Sequence, residues 1–187
     1  MQDLSPELVL PLVRGRLGRP YRFLAETGST QREIAEDAPE GATVAADHQT
    51  EGRGRLGRTW TDEPGRALLF SLMLRPTPEM ARWPELSLVA GEAVAAAVGA
   101  GASVSPPNDV MIGGRKVAGV LPEATAGRVV LGIGVNVNQR AAELPSDAVK
   151  PPTSLFVELG QELGRAPLLA AILAELERRY DAWSGVS

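Results

Sequence analysis

The chain has 187 residues, which is enough for one domain of ordinary size or for one domain with a small appendage. It contains no cysteine and a single histidine, His48, so disulfides, a cysteine nucleophile and multi-histidine metal sites are excluded. Its net charge of −4 argues against binding nucleic acid mainly through phosphate contacts, so any basic site must be a local cluster.

The predicted elements intermingle strands and helices. Residues 1–20 suggest a short helix and a linker, without the basic start and clean apolar core of a signal peptide. Strands are expected at 21–25, 42–48, 67–74, near 104, at 110–112, 116–121 and 128–137, and helices at about 28–37, 83–100, 153–159 and 167–183. Gly113-Gly114 predicts a hairpin turn, so we expect an α+β fold in which helices pack on a mixed sheet.

The strongest local pattern is Gly-Arg-Gly-Arg-Leu-Gly-Arg-Thr-Trp at residues 52–60, within a predicted loop from 49 to 66. Its glycines permit tight turns and a close approach to a ligand. Its arginines offer planar forks of donors that suit phosphate or carboxylate oxygens. Such a cluster is costly to hold together without a neutralising anion, so the run predicts an anion-binding loop.

Other interpretations of this run stay open on its residues alone. It matches G-x-G-x-x-G, but a dinucleotide fingerprint needs a helix directly afterwards, and the residues up to 65 are typical of a turn. It nearly matches a P-loop, with Arg58 where that motif has lysine. An RNA-binding arginine-glycine segment would need an aromatic platform, and a solvated surface loop also fits.

Further motifs surround this run in a fixed order. Gly28-Ser29-Thr30 and Gln49 precede it, and Pro107-Asn108-Asp109, the segments 114–120 and 132–136, and Thr153-Ser154-Leu155 follow it. Each motif is weak alone. Together, in this order and spacing, they resemble the catalytic domain of biotin protein ligases over about residues 21–184.

The resemblance implies a fold like the catalytic core of class II aminoacyl-tRNA synthetases. It also implies that the protein uses ATP, biotin and Mg²⁺ in two half-reactions. The biotin carboxylate attacks the α-phosphate of ATP to give biotinoyl-AMP and pyrophosphate, and a carrier lysine then attacks the mixed anhydride. Fixed cations would assist because both reactants are anions and the transition state gathers more negative charge.

The resemblance also assigns roles to residues. Lys116 and Arg55 would be catalytic, since a lysine acts as a compact point charge near a carboxylate and a phosphate. Biotin would be bound by Ser29, Thr30, Gln49, Gly52, Arg53, Lys116 and Gly119, and ATP or the adenylate by Arg53, Arg55, Arg58, Trp60, Asn108, Asp109 and Asn136. Asp109 is also a candidate ligand for Mg²⁺ or a partner for a neighbouring cation.

Some of these residues also fit purely structural roles. Ser29 and Thr30 would cap a helix, and an Asn-Asp pair after proline is typical of a turn. Lys116 alone would fit an exposed hairpin lysine. Gly119, Gly132 and Gly134 are different, because glycine weakens a strand and its presence there indicates that a ligand or a backbone passes closely.

The sequence departs from the family pattern at one motif. Where the family has Lys-Trp-Pro-Asn-Asp, this chain has Ser-Pro-Pro-Asn-Asp at residues 105–109. The departure removes a cation and a large aromatic side chain, and consecutive prolines remove two backbone donors. We therefore expect weaker ATP binding or catalysis than the full motif would give.

We expect an N-terminal helix and linker at 1–20 and a catalytic domain at 21–187. Because the first 20 residues are too few for a winged-helix DNA-binding domain and few residues follow the last predicted helix, we expect neither that domain nor the small β-barrel domain of the family. The expected partner is a biotin carboxyl carrier protein or domain, with no DNA and no membrane partner, for a cytoplasmic monomer or weak homodimer. The alternatives are a degenerate homologue that binds biotin or its adenylate without efficient transfer, and a lipoate ligase of the same fold.

Overall fold

The computed structural model describes residues 3–125, 127–146 and 148–185. Its strands are β1 (Tyr21–Leu24), β2 (Thr43–Ala46), β3 (Ala67–Leu74), β4 (Ser103–Ser105), β5 (Asp109–Ile112), β6 (Arg115–Thr125) and β7 (Arg128–Asn136). They form one seven-stranded sheet in the order β1-β2-β3-β7-β6-β5-β4. The β1–β2 pair is parallel and the other neighbouring pairs are antiparallel, so the predicted mixed sheet is confirmed.

The helices cover one face of this sheet. They are α1 (Pro6–Val9), α2 (Leu86–Val98), α3 (Leu155–Leu159) and α4 (Arg165–Ser184), with short 3-10 segments at Arg55–Gly57, Met80–Glu85 and Ala141–Glu143. Leu68, Phe70 and Leu72 of β3 share one hydrophobic cluster with residues of α2 and α4. Because side chains alternate along a strand, Leu69 and Ser71 face the other way. The face that carries Ser71 is the one on which the site lies.

The N-terminal segment packs against the same core. Leu4, Val9, Val13 and Leu17 are buried members of the cluster that α2 and α4 share with the sheet. Residues 3–20 therefore cover part of the hydrophobic core of the molecule. Among the described residues, no helix combines the length and the apolar character that a membrane crossing requires.

The predicted helix at about 28–37 is wrong, because the segment forms turns. The backbone N–H of Arg32 donates to the carbonyl of Ser29, and that of Glu33 donates to the carbonyl of Thr30, which is the spacing of a turn. The Glu33 carboxylate accepts hydrogen bonds from the side chains of Thr27 and Arg22. The Thr30 backbone N–H donates to the Gln49 side chain, so a contact distant in sequence replaces the local one.

The predicted helix at 83–100 also differs in detail. It opens as the 3-10 segment that contains Pro84, and regular α-helix begins only at Leu86. It ends at Val98, and Gly99 has a φ of 64°, a conformation that suits glycine at a helix end. The predicted strands at 67–74 and 128–137 and the hairpin across Gly113-Gly114 are confirmed.

Candidate active site

A cavity lies on the sheet face opposite α2 and α4. It encloses about 480 Å³ of space, part of which is open to solvent. Its walls come from the turns after β1 and β2, from the arginine loop at 52–60, from β3, β6 and β7, and from Asn108 just before β5. The lining residues are Ser29, Thr30, Gln31, Gln49, Arg53, Gly54, Arg55, Trp60, Ser71, Asn108, Lys116, Gly119, Val120, Leu121, Gly132, Ile133 and Gly134.

One end of the cavity carries a buried network of hydroxyl and amide groups. The Thr30 hydroxyl donates to Gln49 Oε1 at 3.0 Å and lies 2.8 Å from the Ser71 hydroxyl. The Thr30 backbone N–H donates to the same Gln49 oxygen at 2.8 Å. Ser29 is buried beside this group. Such a cluster offers donors and acceptors in a dry setting and suits a small polar ring.

In the middle of the cavity, the Trp60 ring packs on glycines of β6 and β7. Gly119 of β6 pairs directly with Gly134 of β7. A Cβ added at Gly134 would lie 2.7 Å from the indole of Trp60, and one at Gly119 would lie 3.1 Å from it. The glycines are therefore needed because the Trp60 ring lies against the strand backbone. This explains the weak β-formers that the sequence places in these strands.

Lys116 stands beside that indole. Its Nζ is 5.5 Å from the centre of the Trp60 ring, within the range of a cation–π contact. The same Nζ is 2.7 Å from Asp109 Oδ1, and the Nζ of Lys150 is 2.7 Å from Asp109 Oδ2. Both lysines therefore meet one carboxylate, and the three groups together carry a net charge of about +1 at neutral pH.

Asp109 is almost fully buried, with 8% of the residue exposed. Burial works to raise the pKa of Asp109, but the hydrogen bonds and charges of Lys116 and Lys150 outweigh it and hold that pKa below its ordinary value. The carboxylate is therefore ionised at neutral pH. It anchors the two ammonium groups at the edge of the cavity.

The arginine loop is a tight hairpin over the cavity mouth. The Gly54 backbone N–H donates to the carbonyl of Arg58, and the Trp60 backbone N–H donates to that of Gly52. A Cβ on Gly52 would overlap the Trp60 carbonyl, so only glycine fits there. The Arg53 guanidinium pairs with Glu123 at 2.6 Å, while the arginines at 55 and 58 are exposed.

Two donors at the cavity have no hydrogen-bond partner among the described residues. They are Nε of Arg53 and Nε1 of Trp60, and both atoms are buried. Buried donors in folded proteins are normally paired. A ligand with acceptor oxygens or nitrogens would satisfy them.

The described residues hold no group of three or more histidine, aspartate or glutamate side chains placed to bind a metal ion. Each oxygen of Asp109 already faces the ammonium group of a lysine. A metal cation bound to the same oxygen would be repelled by that ammonium group. In this arrangement Asp109 is suited to pair with the two lysine ammonium groups and is not suited to bind Mg²⁺.

Comparison with known proteins identifies the family. The model of the biotin/lipoate A/B protein ligase family matches residues 25–139. The chain belongs to this family. The resemblance to biotin protein ligases inferred from the motifs is thereby confirmed.

Several proteins of this family are similar to the chain. The bifunctional ligase/repressor BirA of Bacillus subtilis is 38% identical over 170 residues, which are 86% of this chain and 52% of that protein. The biotin–acetyl-CoA-carboxylase ligase of Mycobacterium tuberculosis is 38% identical over 88% of this chain and 65% of its own length. The chain thus spans about half the length of the BirA relatives.

A solved structure agrees with the fold. The biotin protein ligase of Aquifex aeolicus in complex with biotin and ATP is 33% identical and superposes with a TM-score of 0.81. The match covers 90% of this chain and 73% of that one. The mixed sheet flanked by helices is therefore the biotin ligase fold.

The predicted site residues of this biotin/lipoate ligase family member are distributed as follows. The cavity wall includes Ser29, Thr30, Gln49, Arg53, Arg55, Trp60, Asn108, Lys116 and Gly119. Gly52 and Arg58 line an adjoining opening under the arginine loop. Asp109 lies behind Lys116, and Asn136 is buried at the end of β7, where its amide donates to the carbonyl of Thr153. The structure does not place Asn136 on the cavity wall.

Sequence reasoning missed other residues of the site. Ser71 and Gln31 line the cavity, and the Gln31 amide donates to the carbonyl of Leu121. A Cβ on Gly132 would lie 2.8 Å from the Gln31 side chain. The glycine at 132 therefore indicated a close contact, but the sequence alone did not identify Gln31 as the contacting residue. Lys150 lies in a predicted loop, and no local pattern singled it out.

Proposed function

We propose that this protein uses ATP to activate biotin as biotinoyl-AMP and then transfers the biotin to a lysine of a carrier protein. The observation that carries the proposal is the position of Lys116. It lines the same cavity as the hydroxyl and amide network, and its Nζ lies 5.5 Å from the ring centre of Trp60, the last residue of the arginine loop. A cation at that position would reduce the repulsion between the biotin carboxylate and the phosphates of the nucleotide.

The hydroxyl and amide end would hold the ureido ring of biotin. Ser29, Thr30 and Gln49 supply oxygens, hydroxyl groups and an amide, so the ring finds both donors and acceptors there. Because Gly119 and Gly134 let the Trp60 indole lie directly on the strand backbone, that ring would form an apolar wall beside the biotin tail. Gly52 would let the loop backbone come close to the bound acid.

The arginine loop would hold the phosphates. Arg53, Arg55 and Arg58 carry planar forks that match phosphate oxygens, and two of them are exposed and unpaired with carboxylates among the described contacts. Asn108 accepts from Arg55 at 3.3 Å, so it would keep that arginine near the cavity. Trp60 would pack against the adenylate. Asn136 would support the adenylate site indirectly, because it is buried behind the cavity wall.

The chemistry requires charge stabilisation more than proton transfer. In the first step a biotin carboxylate oxygen forms a bond to the α-phosphorus, and the bond to pyrophosphate breaks with its electron pair. Lys116 and Arg55 would offset the repulsion between the anions and the charge that builds up on the phosphoryl oxygens. In the second step a carrier amine attacks the carbonyl, AMP leaves, and the amine loses a proton.

Mg²⁺ would enter with the nucleotide. The cation normally keeps several waters and binds phosphate oxygens, and a dedicated set of protein carboxylates is not needed for that. We also propose a biotin carboxyl carrier domain as the acceptor, no role for DNA, and a monomer or weak homodimer. Residues 21–187 would form the catalytic unit, with residues 1–20 as the packed N-terminal segment.

Labelled-biotin transfer to an apo biotin carboxyl carrier domain tests the proposal. With ATP we expect label on the carrier and one pyrophosphate released for each biotin transferred. Pyrophosphate release is measured in parallel with lipoate in place of biotin. Biotin binding without pyrophosphate release would identify a degenerate homologue, and turnover with lipoate alone would identify a lipoate ligase. Either result would overturn the proposal.

A further inference from the structure

We infer that Lys150 is a positioning residue for Lys116, acting through Asp109, and that it supplies the cation that position 105 lacks in this chain. The inference rests on the proposed function for its catalytic consequence. The contacts themselves stand independently of the reaction.

Lys150 meets both the carboxylate and the position where the family motif departs. Its Nζ is 2.7 Å from Asp109 Oδ2 and 3.2 Å from the Ser105 hydroxyl. Ser105 pairs directly with Asp109 across β4 and β5. Directly opposed residues of an antiparallel pair have side chains on the same face of the sheet. A cation at position 105 and the ammonium of Lys150 would therefore serve the same carboxylate.

The segment that carries Lys150 is attached to the backbone of Lys116. The Lys116 N–H donates to the carbonyl of Pro151 at 2.8 Å, and the Thr153 N–H donates to the carbonyl of Lys116 at 2.8 Å. Residues 150–153 thus run beside the start of β6. Proline at 151 and 152 restricts the backbone of this stretch, so the backbone of Lys150 is held in a fixed position.

The charges explain why two lysines are useful. If Asp109 had Lys116 as its one cation, Lys116 could serve a substrate anion only by leaving a buried carboxylate unpaired, which is costly. Lys150 keeps Asp109 paired when Lys116 turns to the substrate. It also holds the Asp109 carboxylate in a fixed position. The positive charge of Lys116 is then available to the biotin carboxylate and the α-phosphate.

The choice of side chain supports this assignment. The chain has 19 lysines and arginines, and Lys116 and Lys150 are its two lysines. Both meet the same carboxylate, one at each oxygen. An ammonium is a compact point charge, and two of them fit around one carboxylate where two planar guanidinium groups would compete for space.

The test compares Lys150→Ala with Lys150→Ala/Ser105→Lys. In Lys150→Ala we expect kcat for pyrophosphate release to fall by up to about 100-fold, since a misplaced catalytic group costs this much, with a smaller change in KM for biotin. Lysine at 105 should restore most of the loss. Lys150→Ala/Ser103→Lys is the matched control, because Ser103 lies on the same strand but pairs with Met111. It should not restore kcat.

A second measurement separates this inference from the proposed function. Because the chain has two lysines, ¹⁵N-lysine labelling yields one side-chain ammonium signal for each. The Lys116 signal should shift in Lys150→Ala and return towards the wild-type position with Ser105→Lys. If the wild-type protein releases no pyrophosphate, the proposed function fails while this signal still tests the inference. An unchanged Lys116 signal, or equal recovery with lysine at 103, would overturn it.

Discussion

At the scale of single residues, the setting of Lys116 decides what it can do. Its side chain is 28% exposed, so it reaches the cavity without supporting the core. Its Nζ contacts both the Trp60 ring and the Asp109 carboxylate. Both contacts orient the ammonium, and neither removes its charge. Lys116 can therefore be changed with little effect on folding.

Lys116→Ala should abolish adenylate formation and leave the fold intact. We expect pyrophosphate release to fall by at least about 100-fold, the scale of losing one preorganised charge-stabilising group. The melting temperature should change little. Lys116→Arg keeps the charge but not the point geometry, so it should recover only part of the activity. Turnover by Lys116→Ala near the wild-type rate would show that its assigned role is wrong.

At the scale of elements, the contact between Trp60 and the β6–β7 glycines links the arginine loop to the sheet. Trp60 ends the loop hairpin that Gly52 begins, since their backbone groups are hydrogen bonded. Its ring in turn lies over Gly134. The position of the loop thus depends on the absence of a side chain on a strand 74 residues away in sequence, counted from 60 to 134.

Gly134→Ala tests this link. The new methyl group would lie 2.7 Å from the Trp60 ring, so the ring must move and we expect adenylate formation to weaken. In a Trp60→Ala background the same change should cost nothing further, because the space is then free. The measurement is a double-mutant cycle on kcat/KM, with a coupling energy of at least about 1 kcal/mol. Additive losses would show that the two positions act independently.

The loop itself should become ordered when the adenylate binds. Arg55 and Arg58 are exposed, so trypsin can reach the bonds that follow them. Biotinoyl-AMP would engage these side chains and hold the loop against the cavity, as closing loops do in many enzymes. We expect cleavage within residues 50–60 to slow at least about tenfold, because access then requires an opening equilibrium. Equal cleavage with and without the adenylate would exclude closure.

The sequence predicts well the elements whose pattern is local. The run 67–74 is apolar except at Ser71 and forms a strand buried along its whole length, and the Gly113-Gly114 turn forms the hairpin that carries Lys116. The arginine loop also forms where its glycines indicate. In each case the residues that decide the structure lie within a few positions of one another.

The sequence predicts poorly what depends on distant contacts. The segment after Ser29 has the capping residues of a helix, but Gln49 takes the backbone donor that would begin one, and turns form instead. Lys150 lies 34 positions after Lys116, counted from 116 to 150, and meets it through Asp109. No spacing rule joins these residues, because the sheet edge brings them together.

At the scale of the whole molecule, one buried arginine joins four parts of the chain. Arg165, at the start of α4, is 3% exposed. Its guanidinium pairs with Asp3 of the N-terminal segment and lies 2.8 Å from Asp47, which follows β2. It also donates to the carbonyl of Ala67, where β3 begins. The N-terminal segment, two strands and the last long helix are therefore held at one point, away from the cavity.

Arg165→Met should consequently destabilise the fold and leave the chemistry of the site intact in the molecules that remain folded. Removing one partner of a buried ion pair costs about 3–5 kcal/mol, and we expect the lower end because Asp3 and Asp47 are partly exposed and can be hydrated. For a chain of this size that is a fall in melting temperature of roughly 6–12 °C. Arg66→Met is the matched control, because Arg66 pairs with an exposed Glu162, and such surface pairs contribute less than about 1 kcal/mol. Urea unfolding of both variants measures the difference, and similar midpoints would mean that Arg165 does not join these parts energetically.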